Sequence, residues 1–220
     1  MSGRYCVVIP AFNAQDTIEA VVRCVKQQGL EVLIVDDGSR DQTASLASRE
    51  GAVVISHLKN QGKGCALRTA FGYALRGGYD GVITMDGDGQ HDPAEIPRLI
   101  RAAEHQHAAL AIGDRMTDGV VMPPLRRWTN RVMSTLVSAV SRQPIPDSQC
   151  GFRLIRREVL VNLPLTATRF EIETELLLAA AKRSWKMISV PVRTIYAGQS
   201  SHIRPWRDGM RFLRTLLRYL

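Results

Sequence analysis

The chain has 220 residues and a formal charge of +8, with 45% hydrophobic and 23% charged residues. Those are ordinary globular values, which exclude a disordered or fibrous chain, and the length suffices for a core built without disulfides or metal. Residues 1–114 carry 11 basic and 14 acidic side chains and residues 115–220 carry 18 and 7, so the halves have net charges of −3 and +11. An excess of this kind suits an anionic partner such as phosphate, membrane or nucleic acid, although a solvated arginine-rich surface would give the same count.

Taken in chain order, Tyr5–Ile9 reads as a buried strand ended by Pro10, and Ala14–Gln28 as a helix with apolar residues at helical spacing. The second strand, Glu31–Val35, runs into Asp36-Asp37-Gly38-Ser39. Asp41 is placed to cap a helix over Gln42–Arg49, which Gly51 follows. Ala52–Ser56, Gly81–Met85 and Ala109–Gly113 are further strands, with helices over Gly62–Arg76 and Ala94–His105 between them. This alternation predicts an α/β fold, a mainly parallel sheet with helices on both faces. Ligands bind at the carboxyl ends of such strands, here after Ile9, Val35 and Met85.

The second half is less regular. Pro123–Arg142 reads as a long basic helix, Gln143–Asp147 as a proline-containing turn and Cys150–Ile155 as a strand. Arg169–Arg183 follows as a helix, Met187–Tyr196 as a strand, Gly198–His202 as a polar loop and Pro205–Leu220 as a terminal helix. With no internal repeat or low-complexity linker, residues 1–220 are expected to form one domain. Cys6, Cys24, Cys65 and Cys150 lie far apart without a C-x-x-C pair, which points to a reduced, cytosol-facing chain rather than a zinc or redox site. Pro10 interrupts the N-terminal apolar run too early for a signal peptide, and no run approaches the roughly 18 apolar residues of a membrane span.

Three strand-end motifs carry chemistry. Asp36 and Asp37 can accept hydrogen bonds from a base or ribose, or simply make turn contacts. Asp86-Gly87-Asp88-Gly89-Gln90-His91-Asp92 places oxygen donors at alternate positions, which suits Mg²⁺ or Mn²⁺ sharing substrate phosphates. An EF-hand fails there, because His91 stands where glycine is needed and Pro97 where the bidentate glutamate should be. Asn60-Gln61-Gly62-Lys63-Gly64 opens a helix and reads as a phosphate cradle, though it is no Walker loop. Pro10-Ala11-Phe12-Asn13 replaces a dinucleotide fingerprint after the first strand. His57, His105 and His107 read as surface or helix-end residues.

In combination these segments resemble the family 2 inverting glycosyltransferases, and most closely the branch typified by dolichol-phosphate mannosyltransferase. The similarity runs from Val8-Ile9-Pro10-Ala11-Phe12-Asn13 through Ile34-Val35-Asp36-Asp37-Gly38-Ser39 and Met85–Pro93. It continues through Gly113-Asp114-Arg115, Pro146–Arg153 and Glu171-Ile172-Glu173, and so covers about the whole chain. The resemblance implies a GT-A fold and transfer of a hexose from a GDP-mannose- or UDP-glucose-type donor to a polyprenyl-phosphate-like acceptor. Pro10, Ala11 and Asp36 or Asp37 would hold base and ribose. Asp86, Asp88 and Gln90 would hold the metal, with Arg115 and Lys63 facing the phosphates. Asp147 matches the acceptor-side carboxylate, where it would act as a base toward a sugar hydroxyl or as a positioning group toward a lipid phosphate. Gln15 and Glu19 only approximate the Glu or Gln that many relatives show after Pro10, and many lipid-specific relatives continue into membrane helices beyond the equivalent of Leu220.

Arg207, Arg211, Arg214 and Arg218 fall within about 60° of one another on a helix, opposite a wide apolar arc. Such a helix suits a membrane interface or packing on its own domain. Arg126, Arg127, Arg131 and Arg153, with His202 and Arg204 in the preceding loop, are expected to extend the phosphate- or acceptor-facing surface. A nucleotidyltransferase would also want Asp36, Asp86 and Asp88 around a metal. A nucleic-acid-binding domain leaves the acidic cluster unexplained, and none is expected.

Overall fold

The computed structural model of the chain describes residues 3–117, 122–195 and 205–220, with side chains from 209 onward in the last segment. The first half alternates as expected: β1 (Tyr5–Ala11), α1 (Ile18–Gln27), β2 (Glu31–Asp36), α2 (Thr43–Arg49), β3 (Val53–Ser56), α3 (Lys63–Arg76) and β4 (Gly81–Thr84). A 3-10 turn, Pro93–Glu95, leads into α4 (Ile96–His105) and β5 (Leu110–Asp114). Then come α5 (Pro124–Ser141), β6 (Arg153–Arg156), α6 (Arg157–Asn162), α7 (Ile172–Lys182), β7 (Met187–Pro191) and α8 (Pro205–Arg218).

The strands form one sheet in the order β3-β2-β1-β4-β6-β5-β7. All neighbours are parallel except β6, which runs antiparallel to β4 and β5 between them. Both halves of the sequence therefore build the same sheet. Because β6 is reversed, it starts where β4 ends, with Arg153 opposite Thr84. The loop before it consequently lies on the carboxyl edge of the sheet, beside the ends of β1, β2 and β4. Strands covered on both faces read as continuous apolar runs, and Cys6, Val7, Val8 and Ile9 are all buried, as are Leu33, Ile34 and Val35.

The differences from the expected elements are local. Cys150–Phe152 stays outside the sixth strand because Gly151 is drawn toward β4, its carbonyl accepting from Thr84 Oγ1 at 2.7 Å. The last strand stops at Pro191, beyond which His91 and Thr194 bridge. Helix α6 had no counterpart among the expected elements. Helix α2 starts one residue later than expected, so Gln42 rather than Asp41 stands at its N-cap; Asp41, one residue before, still accepts from Thr43 N at 3.0 Å and also holds Gln15 N.

Helix α8 divides its apolar arc. Phe212 and Leu216 are buried, and Arg218 donates to Thr166 Oγ1 at 2.9 Å and lies 3.6 Å from Glu175 on α7. Met210, Leu213, Leu217 and Leu220 are exposed. The helix thus packs on its own domain while keeping a second apolar row outside. Among the described residues, no helix is long and apolar enough to cross a membrane.

Candidate active site

Asp86, at the end of β4, is the centre of the strand-end cluster. Its Oδ1 accepts from Lys63 Nζ at 2.5 Å, and Lys63 also reaches Glu173 Oε1 on α7 at 2.5 Å. His91 Nε2 lies 3.5 Å from Asp86 Oδ2, while the imidazole stacks on Phe152. Burial pushes the Asp86 carboxyl up, but the charges and hydrogen bonds of Lys63 and His91 outweigh it and hold the acid far below the usual range. Burial likewise lowers the Lys63 ammonium, and Asp86 and Glu173 more than reverse that, raising it. The Asp86 carboxyl is therefore ionised, the state a divalent cation requires of a ligand.

The remaining donors of this segment follow in the next turn. Asp88 Oδ1 accepts from Gln90 N at 3.0 Å, and Thr17 Oγ1 donates to Gly87 O at 2.6 Å, fixing the turn against the loop after β1. Among the described residues no three His, Cys, Asp or Glu side chains converge as a complete metal centre. Asp86, Asp88 and Gln90 supply two carboxylates and an amide oxygen, an all-oxygen set that fits Mg²⁺ or Mn²⁺ when diphosphate oxygens and water complete it.

At β2 the two aspartates differ. Asp36 is buried and accepts from Ser39 N at 3.2 Å, making a turn contact. Asp37 accepts from His57 Nδ1 (2.7 Å), Gln61 N (2.9 Å) and Gly62 N (2.7 Å), which ties β2 to the start of α3. Its contacts are all internal, so the structure places it behind the site rather than at a ribose. His57 is correspondingly half-buried, its ring held between Asp37 and Thr69 rather than free on the surface.

The expected phosphate cradle at α3 is filled by protein. Gln61 and Gly62 donate their N–H groups to Asp37, and Cys65 N donates to Thr168 O. A Cβ at Gly62, whose φ is +99°, would stand 2.5 Å from Thr168 O, and one at Gly64 would stand 2.5 Å from Ala167 O. These glycines admit the 167–168 backbone, and only the Lys63 side chain reaches the cluster. This corrects the sequence reading, which had no means of seeing a segment a hundred residues away.

Gly151 brings the acceptor-side loop against Asp86: a Cβ there would lie 2.6 Å from Asp86 Oδ2. In the same loop Asp147 is 0% exposed. Its Oδ2 accepts from Arg115 Nε at 2.7 Å and Arg115 N at 3.2 Å, and its Oδ1 from Arg115 Nη2 at 3.0 Å and Asn130 Nδ2 at 2.8 Å. Burial raises this carboxyl, but the Arg115 and Asn130 contacts overcome it and hold it below the ordinary value. Arg115 is buried with it, close enough to Asp86 to feel its charge. Arg153, 1% exposed, donates to Cys150 O (2.7 Å), Glu173 O (2.8 Å) and Ser148 O (2.7 Å). Three carbonyls enclose this guanidinium, so it braces the loop instead of facing a phosphate.

Pro10 and Ala11 end β1 beside β2 and line the edge as expected. Arg126 is half-buried and Arg127 and Arg131 are exposed on α5, away from the Asp86 cluster's hydrogen bonds. His202 and Arg204 lie outside the described residues. Glu173, the second partner of Lys63, had no role assigned from sequence. The Glu171-Ile172-Glu173 motif was its only signal.

The profile of the family described as Glycosyl transferase family 2 matches residues 6–163. The chain belongs to that family. It is a glycosyltransferase of GT-A fold, in the branch of polyprenyl- and dolichyl-phosphate sugar transferases. It is 32% identical over 206 residues to the polyprenol monophosphomannose synthase of Mycolicibacterium smegmatis, covering 86% of this chain and 76% of that one. It is 28% identical over 217 residues to the UDP-N-acetylglucosamine–dolichyl-phosphate N-acetylglucosaminyltransferase of Methanococcus voltae, covering 88% and 86%. Among solved structures, the glucosyl-3-phosphoglycerate synthase of Mycobacterium tuberculosis, in complex with Mn²⁺, UDP and glucosyl-3-phosphoglycerate, superposes with a TM-score of 0.75 at 22% identity. That match covers 99% of this chain and 80% of the other and establishes the shared fold.

Proposed function

We propose that this glycosyltransferase moves a hexose from a GDP-mannose- or UDP-glucose-type donor to a polyprenyl-phosphate-type acceptor, with inversion at the anomeric carbon and with Mg²⁺ or Mn²⁺ bound. Residues 1–114 would serve the donor and residues 115–220 the acceptor. Asp86, Asp88 and Gln90 would hold the cation, which offsets the charge that builds on the departing diphosphate. The phosphate oxygen of the acceptor attacks the anomeric carbon. The bond to the diphosphate breaks, and its electron pair leaves with the nucleotide. Lys63, kept near the cluster by Glu173, adds a fixed positive charge there, and Asp36 with Pro10 and Ala11 lines the donor edge. Arg115 is locked in one orientation by Asp147, so its charge is preorganised where the acceptor loop meets Asp86.

The observation that carries the acceptor assignment is the enclosure of Asp147. With four hydrogen bonds accepted inside the protein, it has no lone pair to spare for an acceptor proton. A sugar hydroxyl would need such a base, whereas a phosphate monoester with a second pKa of ~6 is already ionised near neutrality. Asp147 is therefore a positioning residue for Arg115. Arg126, Arg127 and Arg131 on α5, with His202 and Arg204, supply further positive charge on the acceptor side. The exposed apolar row of α8 fits peripheral contact with the cytoplasmic face of a membrane.

Product analysis tests this reading. Nucleotide-sugars are incubated with a long-chain polyprenyl phosphate and Mn²⁺ or Mg²⁺. Release of nucleoside diphosphate with a glycosylated lipid phosphate is expected. Release of pyrophosphate would instead identify a nucleotidyltransferase, and equal transfer to the free polyprenol would refute the phosphate acceptor.

A further inference from the structure

Helix α5 is turned inside out relative to an ordinary surface helix. Its buried positions are Asn130, Ser134, Val137 and Ser141, three of them polar. Its outward positions include Leu125 (73% exposed), Trp128 (64%), Val132 and Leu136, all exposed large apolar side chains. These four recur at intervals of three and four residues and so form one stripe along the helix. The polar face is fully used: Asn130 Nδ2 donates to Asp147, Ser134 Oγ donates to Asn130 Oδ1 at 3.1 Å, and Ser148 N donates to Ser134 Oγ at 2.8 Å. The amphipathic pattern therefore anchors α5 to the Asp147–Arg115 loop, with Val137, Met133 and Val140 turned to the core, and leaves Leu125 and Trp128 largely exposed and Val132 and Leu136 about 40% exposed.

We propose that the Leu125–Trp128–Val132–Leu136 stripe docks on an anionic lipid monolayer, with α5 lying in the headgroup region. The charge of the helix fits that occupant, since α5 carries Arg126, Arg127 and Arg131 and no acidic residue, with the exposed Arg131 at the edge of the stripe, in the half of the chain with the +11 excess. A tryptophan inside an apolar stripe flanked by arginines is the composition of an interfacial helix. A second copy of the chain is the poorer match, because a stable pair buries about 20–30 residues on each side and this stripe offers four. Location argues the same way: Asn130 on α5 donates to Asp147, the partner of Arg115, so a monolayer under the stripe brings lipid phosphates to the acceptor side of the cluster. Helix α8, which follows the neighbouring strand and also packs on α7, exposes a comparable row. The inference rests on the lipid-phosphate acceptor reading for its purpose, but not for its test.

Vesicle flotation without donor or acceptor reads docking alone. The wild-type chain should float with vesicles containing phosphatidylglycerol, less so with phosphatidylcholine alone, and binding should fall with salt. The double variant Trp128→Glu/Val132→Glu should lose about tenfold or more in partition while keeping its thermal stability, because both side chains already face outward. Acyl-chain-brominated lipids should quench wild-type tryptophan fluorescence, and Trp128→Phe should reduce that quenching. In transfer assays the double variant should keep activity toward a short, water-soluble prenyl phosphate and lose it toward a long-chain acceptor embedded in vesicles. Flotation of the double variant equal to wild type, or a wild-type dimer that the variant splits while flotation stays unchanged, would overturn the proposal. Absence of transfer to either acceptor with flotation intact would support the surface and reject the acceptor reading instead.

Discussion

Replacing Asp147 by alanine tests the positioning role most severely. The substitution removes both oxygens that hold Arg115 and the acceptor for Asn130 Nδ2, and it leaves the Arg115 guanidinium, 6% exposed, without its counter-charge. Breaking one side of a buried ion pair costs about 3–5 kcal/mol. For a domain of this length each kcal/mol shifts Tm by about 2–4 °C, so a fall of roughly 6–20 °C is expected. Differential scanning fluorimetry, with urea unfolding as a check, measures it. The double variant Asp147→Ala/Arg115→Met removes the stranded charge as well and should recover a substantial part of the loss, because the penalty belongs mainly to the unpaired guanidinium. Activity should not follow stability: the double variant, with no Arg115 charge beside Asp86, should remain about a hundredfold slower than wild type. A Tm within about 2 °C of wild type for Asp147→Ala, or a double variant no more stable than the single one, would rule out Asp147 as the counter-charge that Arg115 needs.

Other outcomes follow from the same geometry. Gly151→Ala places a Cβ 2.6 Å from Asp86 Oδ2, so it should displace that carboxylate and cut metal-dependent transfer about tenfold or more while Tm, followed by thermal melts, changes by only a few degrees. Asp147 and Asp86 have native pKa values below their unfolded ones, so both contribute stability above about pH 4 that is lost as pH falls through the native values. Urea unfolding should thus be flat from neutrality to about pH 5 and weaken below about pH 4, with a shallower acid slope for Asp147→Asn. Cys6 and Cys150 are buried, with thiols pushed up to about 12 by desolvation, whereas Cys24 is exposed. A thiol-titrating reagent should therefore label Cys24 in the native chain, and Cys6 and Cys150 only after denaturation.

Much of the first half was legible because its signals are local. Short apolar runs bounded by Pro, Gly or Asp gave the strands, and the DGDGQ segment advertised its oxygen donors within five residues. The errors share a different physical origin. Whether Gly62 and Gly64 cradle an anion depends on the 167–168 backbone, and whether Arg153 is free depends on three carbonyls that converge only in the fold. Asp37 and His57 differ from their expected settings for the same reason, since their partners lie 12 to 25 residues away. Glu173 was named only as part of a motif because its link to Lys63 spans 110 positions. Helix α5 was recognised as a helix, yet its orientation depended on which face met Asp147 and Ser148.

Asp86, Asp88 and Gln90 are proposed to hold a divalent cation for glycosyl transfer from a nucleotide-sugar. The most direct test is the rate of nucleoside diphosphate release at saturating donor and polyprenyl phosphate, for wild type and Asp88→Ala, with Mn²⁺ and after chelation. Near-complete loss is expected both on chelation and in the variant. Retention of more than about a tenth of the wild-type rate in Asp88→Ala, or full activity after chelation, would contradict it.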